Sequence, residues 1–219
     1  PPDQNHGLTL TQCRANYRSC GAVLPRLVKH SRPAQKDELP LGWLPQKLLP
    51  WFDKNKRDLP WRKDKEPYHV WLSEIMLQQT RVEAVRGYYA RFLSALPTIA
   101  DLANAEDELL HKLWEGLGYY SRVRNLKKAA NIIIYEHNGV FPRDYEKVRS
   151  LPGIGPYTSG AICSIAFDQP TPAVDGNVLR VISRINNDPT PIDDPAMKKF
   201  FAGLYYAIVR KYIMKSMPQ

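Results

Sequence analysis

Apolar positions recur at helical spacing along the chain from about residue 44 onward. They predict helices from Tyr68 to Gln79 and at about 81–95, 106–116, 121–137, 156–167 and 176–186, separated by Pro, Gly or Asn. No alternating apolar run has the length of a strand, so the pattern predicts an all-helical fold. Residues 1–40 show no sustained periodicity, and we expect them to form a poorly ordered leader.

The composition is that of a globular protein, with 43% apolar residues in a chain of 219. No stretch reaches 18 consecutive apolar residues and no secretory signal is recognisable, so we expect an intracellular, soluble monomer that does not enter a membrane. Cys13, Cys20 and Cys163 are odd in number and scattered, which fits neither a disulfide framework nor a four-cysteine metal site.

The net charge of +9 is concentrated at the two ends of the chain. Residues 1–40 contribute +3 and residues 196–219 contribute +5, which leaves +1 for the region between them. Basic ends occur in nucleic-acid-binding proteins and also as solvated surfaces, so the charge does not by itself identify a partner. The functional argument therefore depends on sequence motifs.

The segment Leu151–Ala161 reads Leu-Pro-Gly-Ile-Gly-Pro-Tyr-Thr-Ser-Gly-Ala. Its first proline and its two glycines predict a tight turn, and Pro156 suits the first position of a helix, so we expect a hairpin between two helices. The amides of Gly153, Ile154 and Gly155 are then expected to face outward and to bind a phosphate oxygen. An ordinary turn between helices is the alternative interpretation, because short glycine motifs are common.

A second motif, Val-Asp-Gly-Asn at residues 174–177, follows about twenty residues later. Asp175 stands at the N-cap position of the next helix, and local pattern alone favours a capping role worth ~1 kcal/mol. Together, however, the Leu-Pro-Gly-Ile-Gly hairpin, the helix after it and this aspartate resemble the helix-hairpin-helix signature of base excision DNA glycosylases. The resemblance implies a helix-hairpin-helix glycosylase fold.

Two further motifs, Trp71–Thr80 (Trp-Leu-Ser-Glu-Ile-Met-Leu-Gln-Gln-Thr) and Leu117–Arg122 (Leu-Gly-Tyr-Tyr-Ser-Arg), resemble the adenine glycosylases of the MutY family. The likeness runs from about Leu44 to about Pro191. It implies hydrolysis of the N-glycosidic bond of an adenine mispaired with 8-oxoguanine or guanine in double-stranded DNA, by base flipping. A mismatch thymine glycosylase and a weakly active DNA-binding remnant are the alternatives.

The resemblance implies opposite roles for two carboxyl groups. Glu74 would be the general acid that protonates the adenine, since apolar neighbours on its helix raise a carboxyl pKa; a surface glutamate on an amphipathic helix is the alternative. Asp175 would stay ionised at a helix start and stabilise the oxocarbenium character of the sugar. Related thymine-glycol glycosylases carry a catalytic lysine where this chain has Tyr157, so we expect no lyase activity.

The remaining site residues are also implied by the resemblance. The supporting and adenine-pocket positions are Trp61, Arg62, Leu77, Tyr157 and Asn177, and the DNA-binding positions are Gln79, Thr80, Leu117, Tyr119, Gly153, Ile154 and Gly155. Among these, Gln79 and Tyr119 would wedge the duplex from the minor groove, although a helix-end amide and a core tyrosine are the ordinary alternatives. Nearby Arg81, Arg122 and Arg124 are expected to bind phosphates.

The resembled family continues into four cysteines that hold an iron-sulfur cluster and then into a domain that recognises 8-oxoguanine. No cysteine follows Cys163, so we expect no cofactor. The expected architecture is a six-helix barrel subdomain at 61–167 with the hairpin at 151–156, and an incomplete second subdomain from 41–60 and 168–219. Both carboxylates would line the cleft between them, in a protein of the nucleoid, the nucleus or the mitochondrion.

Overall fold

A computed structural model describes residues 43–195, 199, 200 and 203, so the expected leader at 1–40 lies outside the described residues. Every regular element within this range is helical, which confirms the predicted all-α fold. The helices are α1 (Leu44–Asn55), α2 (Pro67–Leu77), α3 (Val82–Ala95), α4 (Ile99–Asn104), α5 (Asp107–Trp114), α6 (Ser121–Glu136), α7 (Tyr145–Ser150), α8 (Pro156–Phe167) and α9 (Gly176–Asn186), with a short 3-10 turn at Pro60–Arg62.

Two six-residue helices, α4 and α7, are not predicted by the hydrophobic periodicity. The hydroxyl of Thr98 accepts from the Asp101 amide at 3.1 Å while the Asp101 carboxylate accepts from the Thr98 amide at 3.0 Å, a capping box that begins α4. Asp144 caps α7 by accepting from the Lys147 amide at 3.0 Å. Capping side chains therefore define these helices, which are too short to show a helical period.

The described residues divide into two compact units, one formed by residues 50–173 and the other by residues 43–49 together with the described residues from 174 onward. We call the first the hairpin unit and the second the aspartate unit. The expected subdomain boundaries at 60/61 and 167/168 stay a prediction.

Helix α2 lies at the centre of the hairpin unit. It packs against α3, α6, α8 and the 3-10 turn, and its buried residues point in every direction around the helix axis: Tyr68, Val70, Trp71, Leu72, Ser73, Ile75 and Met76. A helix that is apolar on all sides is stable only when it is surrounded by other elements. Glu74, which lies between buried residues of α2, is therefore brought into a largely apolar environment.

The aspartate unit has a small apolar cluster of its own. Leu179 of α9 is 4% exposed, and Leu44, Val174, Ile182, Ile192 and Phe200 pack against it. Helix α9 is amphipathic, and its buried positions Leu179 and Ser183 are one turn apart. This packing holds α9, whose first turn carries Asp175.

Helix α8 approaches the chain after it so closely that a side chain is excluded. A Cβ atom placed on Gly160 would lie 2.1 Å from the carbonyl oxygen of Pro172. The hydroxyl of Thr171 donates to the carbonyl oxygen of Gly160 at 3.0 Å and reinforces the contact. Gly160 is therefore needed for the close approach of two backbone segments and not for a turn.

We expect Gly160→Ala to lower the free energy of unfolding by about 2 kcal/mol, because overpacking at a backbone contact exceeds the ~1 kcal/mol that alanine adds to a helix interior. Gly87→Ala is the matched control, since Gly87 lies inside α3 with nothing within 4 Å of the added Cβ. That control should gain about 0.5–1 kcal/mol. Urea denaturation measures both values, and a stabilised Gly160→Ala would contradict the close contact.

Candidate active site

Glu74 is half-buried on the centrally placed helix α2. Its burial raises the pKa of the carboxyl from 4.5 to about 7, against a smaller lowering effect of the Arg62 guanidinium. The charged form is disfavoured because the surrounding side chains replace water. The carboxyl is therefore able to hold a proton near neutral pH, as its apolar neighbours in the sequence predict.

The 3-10 turn places Trp61 and Arg62 in different environments. Trp61 is 7% exposed and packs its edge against Tyr89, with ring centroids 5.4 Å apart, so most of its surface belongs to the core. Arg62 is exposed, and its guanidinium lies 5.7 Å from the ring centroid of Phe52. Of this pair, Arg62 is the residue whose charge acts on Glu74.

Asp175 forms the N-cap of α9. One carboxylate oxygen accepts from the Asn177 amide at 3.0 Å and the Val178 amide at 2.8 Å, and the other accepts from the Asn177 side-chain amide at 2.8 Å. Arg180 donates to the side-chain oxygen of Asn177 and so orients that amide. These three hydrogen bonds fix the position of the Asp175 carboxyl group at the start of α9.

The predicted hairpin is present between α7 and α8. Gly153 has a φ of +80°, and a Cβ on it would lie 2.9 Å from Cβ of Asn125. Glycine is therefore required both for the backbone conformation and for the lack of space. The expectation of three outward amides is wrong for Ile154, whose N–H donates to the carbonyl oxygen of Leu151 at 3.1 Å. This hydrogen bond closes the tight turn that the proline and the glycines predict.

The two expected wedge residues occupy the same unusual backbone conformation. Gln79 has a φ of +55° and Tyr119 a φ of +48°, and both side chains are exposed, Tyr119 to 61%. Residues with side chains adopt this left-handed region infrequently, and such strain concentrates at functional sites. The interpretation of Tyr119 as a core residue is therefore wrong.

Two other expected DNA-binding residues and one pocket residue lie less openly. Leu117 is 7% exposed and belongs to the core. Thr80 and Leu77 are half-buried, and the Thr80 hydroxyl donates to the carbonyl oxygen of Gln78 at 3.2 Å. These residues contribute more to the packing of the turns around Gln79 and Tyr119 than to the exposed surface. Their predicted contacts with DNA and base stay predictions.

Arg122 does not have the role that its charge suggests. It is 7% exposed, and its guanidinium donates to five backbone carbonyl oxygens, so the expectation that it binds phosphates is wrong. Arg81 and Arg124 are exposed, as phosphate-binding residues would be. The sequence places Arg122 inside the Leu-Gly-Tyr-Tyr-Ser-Arg motif, but nothing in that pattern distinguishes a buried arginine from a surface one.

The described residues do not fit an iron-sulfur cluster. Among these residues, Cys163 is buried in α8, and its burial raises the pKa of the thiol to about 11. Within the described range, no group of three or more His, Cys, Asp or Glu residues could hold a metal ion. In the same part of the chain, no helix has the length and apolarity needed to cross a membrane.

The structure thus places the predicted catalytic residues in separate units. Glu74 and Arg62 belong to the hairpin unit, together with both wedge residues and the hairpin itself. Asp175 and Asn177 belong to the aspartate unit, where they form one hydrogen-bonded group. The cleft expected between the two carboxyl groups stays a prediction.

Comparison with known proteins identifies related sequences and folds. Residues 72–204 match the HhH-GPD superfamily of base excision DNA repair proteins. The adenine DNA glycosylase of Rattus norvegicus is 52% identical over 155 residues, which cover 65% of this chain and 30% of that protein. The enzyme of the same name from Buchnera aphidicola subsp. Baizongia pistaciae is 44% identical over 140 residues, 64% of this chain and 40% of that protein.

Solved structures agree on the fold. A thermostable thymine-DNA glycosylase superposes with a TM-score of 0.68 at 26% identity, covering 76% of both chains. An endonuclease III trapped as a covalent intermediate with DNA superposes with a TM-score of 0.61 at 24% identity, covering 79% of this chain and 75% of that one.

The chain spans 40% or less of the length of these adenine DNA glycosylases. The family match nevertheless covers more than half of the chain and includes α3 to α9. This protein therefore belongs to the HhH-GPD superfamily of base excision DNA repair proteins, and within it is similar to the adenine DNA glycosylases of the MutY family.

Proposed function

We propose that this chain is a DNA glycosylase that hydrolyses the N-glycosidic bond of a mispaired adenine in double-stranded DNA. The observation that carries the proposal is the half-buried Glu74, whose pKa of about 7 makes it a general acid at neutral pH. Adenine is a poor leaving group until it is protonated, and a carboxyl group with an ordinary pKa would be ionised. The similarity to adenine DNA glycosylases at up to 52% identity supports the choice of adenine.

In the proposed reaction Glu74 donates its proton to N7 of the flipped adenine, and the bond from C1′ to N9 breaks with its electron pair leaving on the base. A positioned acid of matched pKa contributes about 10²–10⁴-fold to the rate. The sugar acquires positive charge at C1′, and the oxygen of a water adds there while the proton that this water loses passes to the Glu74 carboxylate and restores the acid. The products are free adenine and an abasic site in the DNA.

Asp175 is proposed to stabilise the positive sugar. Its two carboxylate oxygens accept three hydrogen bonds, which hold the group in place. A fixed carboxylate beside developing positive charge lowers the barrier more than a mobile one, because no reorganisation is needed during the reaction. Glu74 and Asp175 are thus proposed to divide the chemistry into proton donation to the base and electrostatic stabilisation of the sugar.

Gln79 and Tyr119 are proposed to enter the duplex when the adenine leaves the stack. Flipping a nucleotide costs a few kcal/mol, and a side chain inserted into the gap recovers part of it. Both residues are exposed on tight turns of the hairpin unit. The hairpin is proposed to bind a phosphate through the amides of Gly153 and Gly155, without the contribution of Ile154.

A thymine glycosylase acting on T:G mismatches is the second candidate, favoured by the structural likeness to the thermostable thymine-DNA glycosylase. Its 26% identity is half that of the rat adenine DNA glycosylase. Single-turnover release of base from A:8-oxoguanine, A:G, A:C and T:G duplexes decides between the two. Release of thymine without release of adenine would overturn the proposed function.

Glu74→Gln and Asp175→Asn are each expected to lower the single-turnover rate of adenine release by about 10²–10⁴-fold while leaving duplex affinity within about tenfold. Neither residue contacts phosphate in the proposal, and asparagine remains a good N-cap, so α9 should stay folded. Excision at the parental rate by either variant would show that the role given to that carboxyl is wrong. Glu136→Gln, on the exposed end of α6, is the matched control and should change neither quantity.

The rate of adenine release is expected to fall as the pH rises through about 7, by about tenfold per unit above it, because only the protonated Glu74 acts as an acid. The free energy of unfolding should also depend on the protonation of Glu74. The folded state holds the proton more tightly than the unfolded state, where the pKa is near 4.5, so the free energy of unfolding falls as the pH rises from 4.5 to about 7.

Glu74→Gln is expected to remove that fall, and so to be more stable than the parent at pH 8 by on the order of 2 kcal/mol, with little difference at pH 4. Urea denaturation at the two pH values measures the change. Equal stability of the two proteins at pH 8 would mean that Glu74 is not held in a desolvated site.

No covalent complex with abasic DNA is expected to be trapped by borohydride, because Tyr157 supplies no amine at the start of α8. Tyr157→Lys provides the comparison, since it places an amine at that position. Efficient trapping by the parent chain would identify another lysine as a nucleophile and would contradict a monofunctional glycosylase.

A further inference from the structure

We propose that Arg122 is a positioning residue that holds the two wedge-bearing turns in register, so that Gln79 and Tyr119 enter DNA together. The proposal rests on the proposed function of these two side chains. The two turns are the wedge turns: residues 78–80, after the end of α2, and residues 117–119, before α6.

Arg122 joins the wedge turns through its two terminal nitrogens. One nitrogen donates to the carbonyl oxygens of Ile75 and Met76 at 3.0 Å and of Gln78 at 2.8 Å. The other donates to the carbonyl oxygens of Leu117 at 3.1 Å and Gly118 at 3.2 Å. A single planar group therefore fixes backbone atoms that are about forty residues apart in the sequence. In each turn, the bonded carbonyl groups precede the wedge residue.

The geometry requires a guanidinium and not simply a positive charge. Its nitrogens diverge in one plane, so each can serve a different turn, whereas a lysine presents one nitrogen at one point. The carbonyl oxygens of Ile75, Met76 and Gln78 also form the negative end of the α2 dipole, which offsets a buried cation that has no carboxylate partner among the described residues. The Trp114 ring, 5.4 Å from the guanidinium, adds a cation-π contact.

The wedge turns need stabilising hydrogen bonds because their backbones are strained. Gln79 and Tyr119 have φ values of +55° and +48°, and side-chain-bearing residues persist there only when surrounding contacts impose the conformation. Packing does not impose it alone at the first turn, since a cavity of about 250 Å³ lies between Gln78, the start of α6 at Arg122 and the hairpin at Gly153. The hydrogen bonds of Arg122 supply the missing constraint.

The test uses a duplex with 2-aminopurine beside a mispaired 2′-fluoro-2′-deoxyadenosine, whose glycosidic bond resists cleavage, so that fluorescence reports unstacking. We expect Arg122→Lys to reduce the fluorescence rise and, on a cleavable A:8-oxoguanine duplex, to slow adenine release by about tenfold or more per folded molecule. Leu102→Ala, a cavity in the buried core of α4, is the control for lost stability. It should lower the thermal midpoint without changing unstacking per folded molecule.

A merely structural role is separated by a double-mutant cycle. In a background of Gln79→Ala and Tyr119→Ala, Arg122→Lys is expected to change unstacking by less than about twofold, because there is no longer a wedge to position. An undiminished effect in that background, or parental unstacking by Arg122→Lys in the intact background, overturns the proposal.

Gly118→Ala tests the same turn with Arg122 intact, and it carries the test if Arg122→Lys does not fold. Gly118 has a φ of +73° and no atom within 4 Å of an added Cβ, so alanine strains the turn without a clash and should reduce unstacking severalfold. Parental unstacking by this variant overturns the proposal. A parent chain that unstacks the probe but releases no adenine refutes the proposed function alone, and one that leaves every mispair stacked refutes both.

Discussion

The burial of α2 on all of its sides is the constraint on which the hairpin unit depends. Apolar side chains around the whole helix can be removed from water only if α3, α6, α8 and the 3-10 turn surround it. The same exclusion of water raises the pKa of Glu74 to about 7. The stability of the unit and the raised pKa of Glu74 thus have one physical origin, because the packing that excludes water also disfavours the ionised carboxyl that is proposed as the catalytic acid.

Asp175 is placed differently from Glu74, although α9 and α2 have the same length. It lies at the beginning of α9, where the first amides of the helix have no partner within the helix. The capping interpretation and the proposed catalytic one are therefore not exclusive, because the hydrogen bonds that cap α9 also fix the position of the carboxylate.

The helices after residue 66 that are longer than six residues, and the hairpin, could be predicted from sequence because each leaves a local signal, a period of apolar residues or a Pro-Gly turn. Helices α4 and α7 could not, since capping side chains define them over six residues. The burial of Arg122 could not be predicted, because charge favours the surface in general and only the tertiary contact between the end of α2 and the turn before α6 brings five carbonyl oxygens to its guanidinium. The amide of Ile154 does not face outward as predicted, because the tight turn of the hairpin uses this donor for its own internal hydrogen bond.

The left-handed conformation of Gln79 and Tyr119 also limits how the protein can be improved. Glycine or asparagine at either position would relax the backbone, so selection for heat resistance would favour the replacements that remove the side chains proposed to enter DNA. Ranking variants by melting temperature alone would therefore select against the proposed base flipping. Under the proposed function, thermal stability and insertion into DNA compete at these two positions.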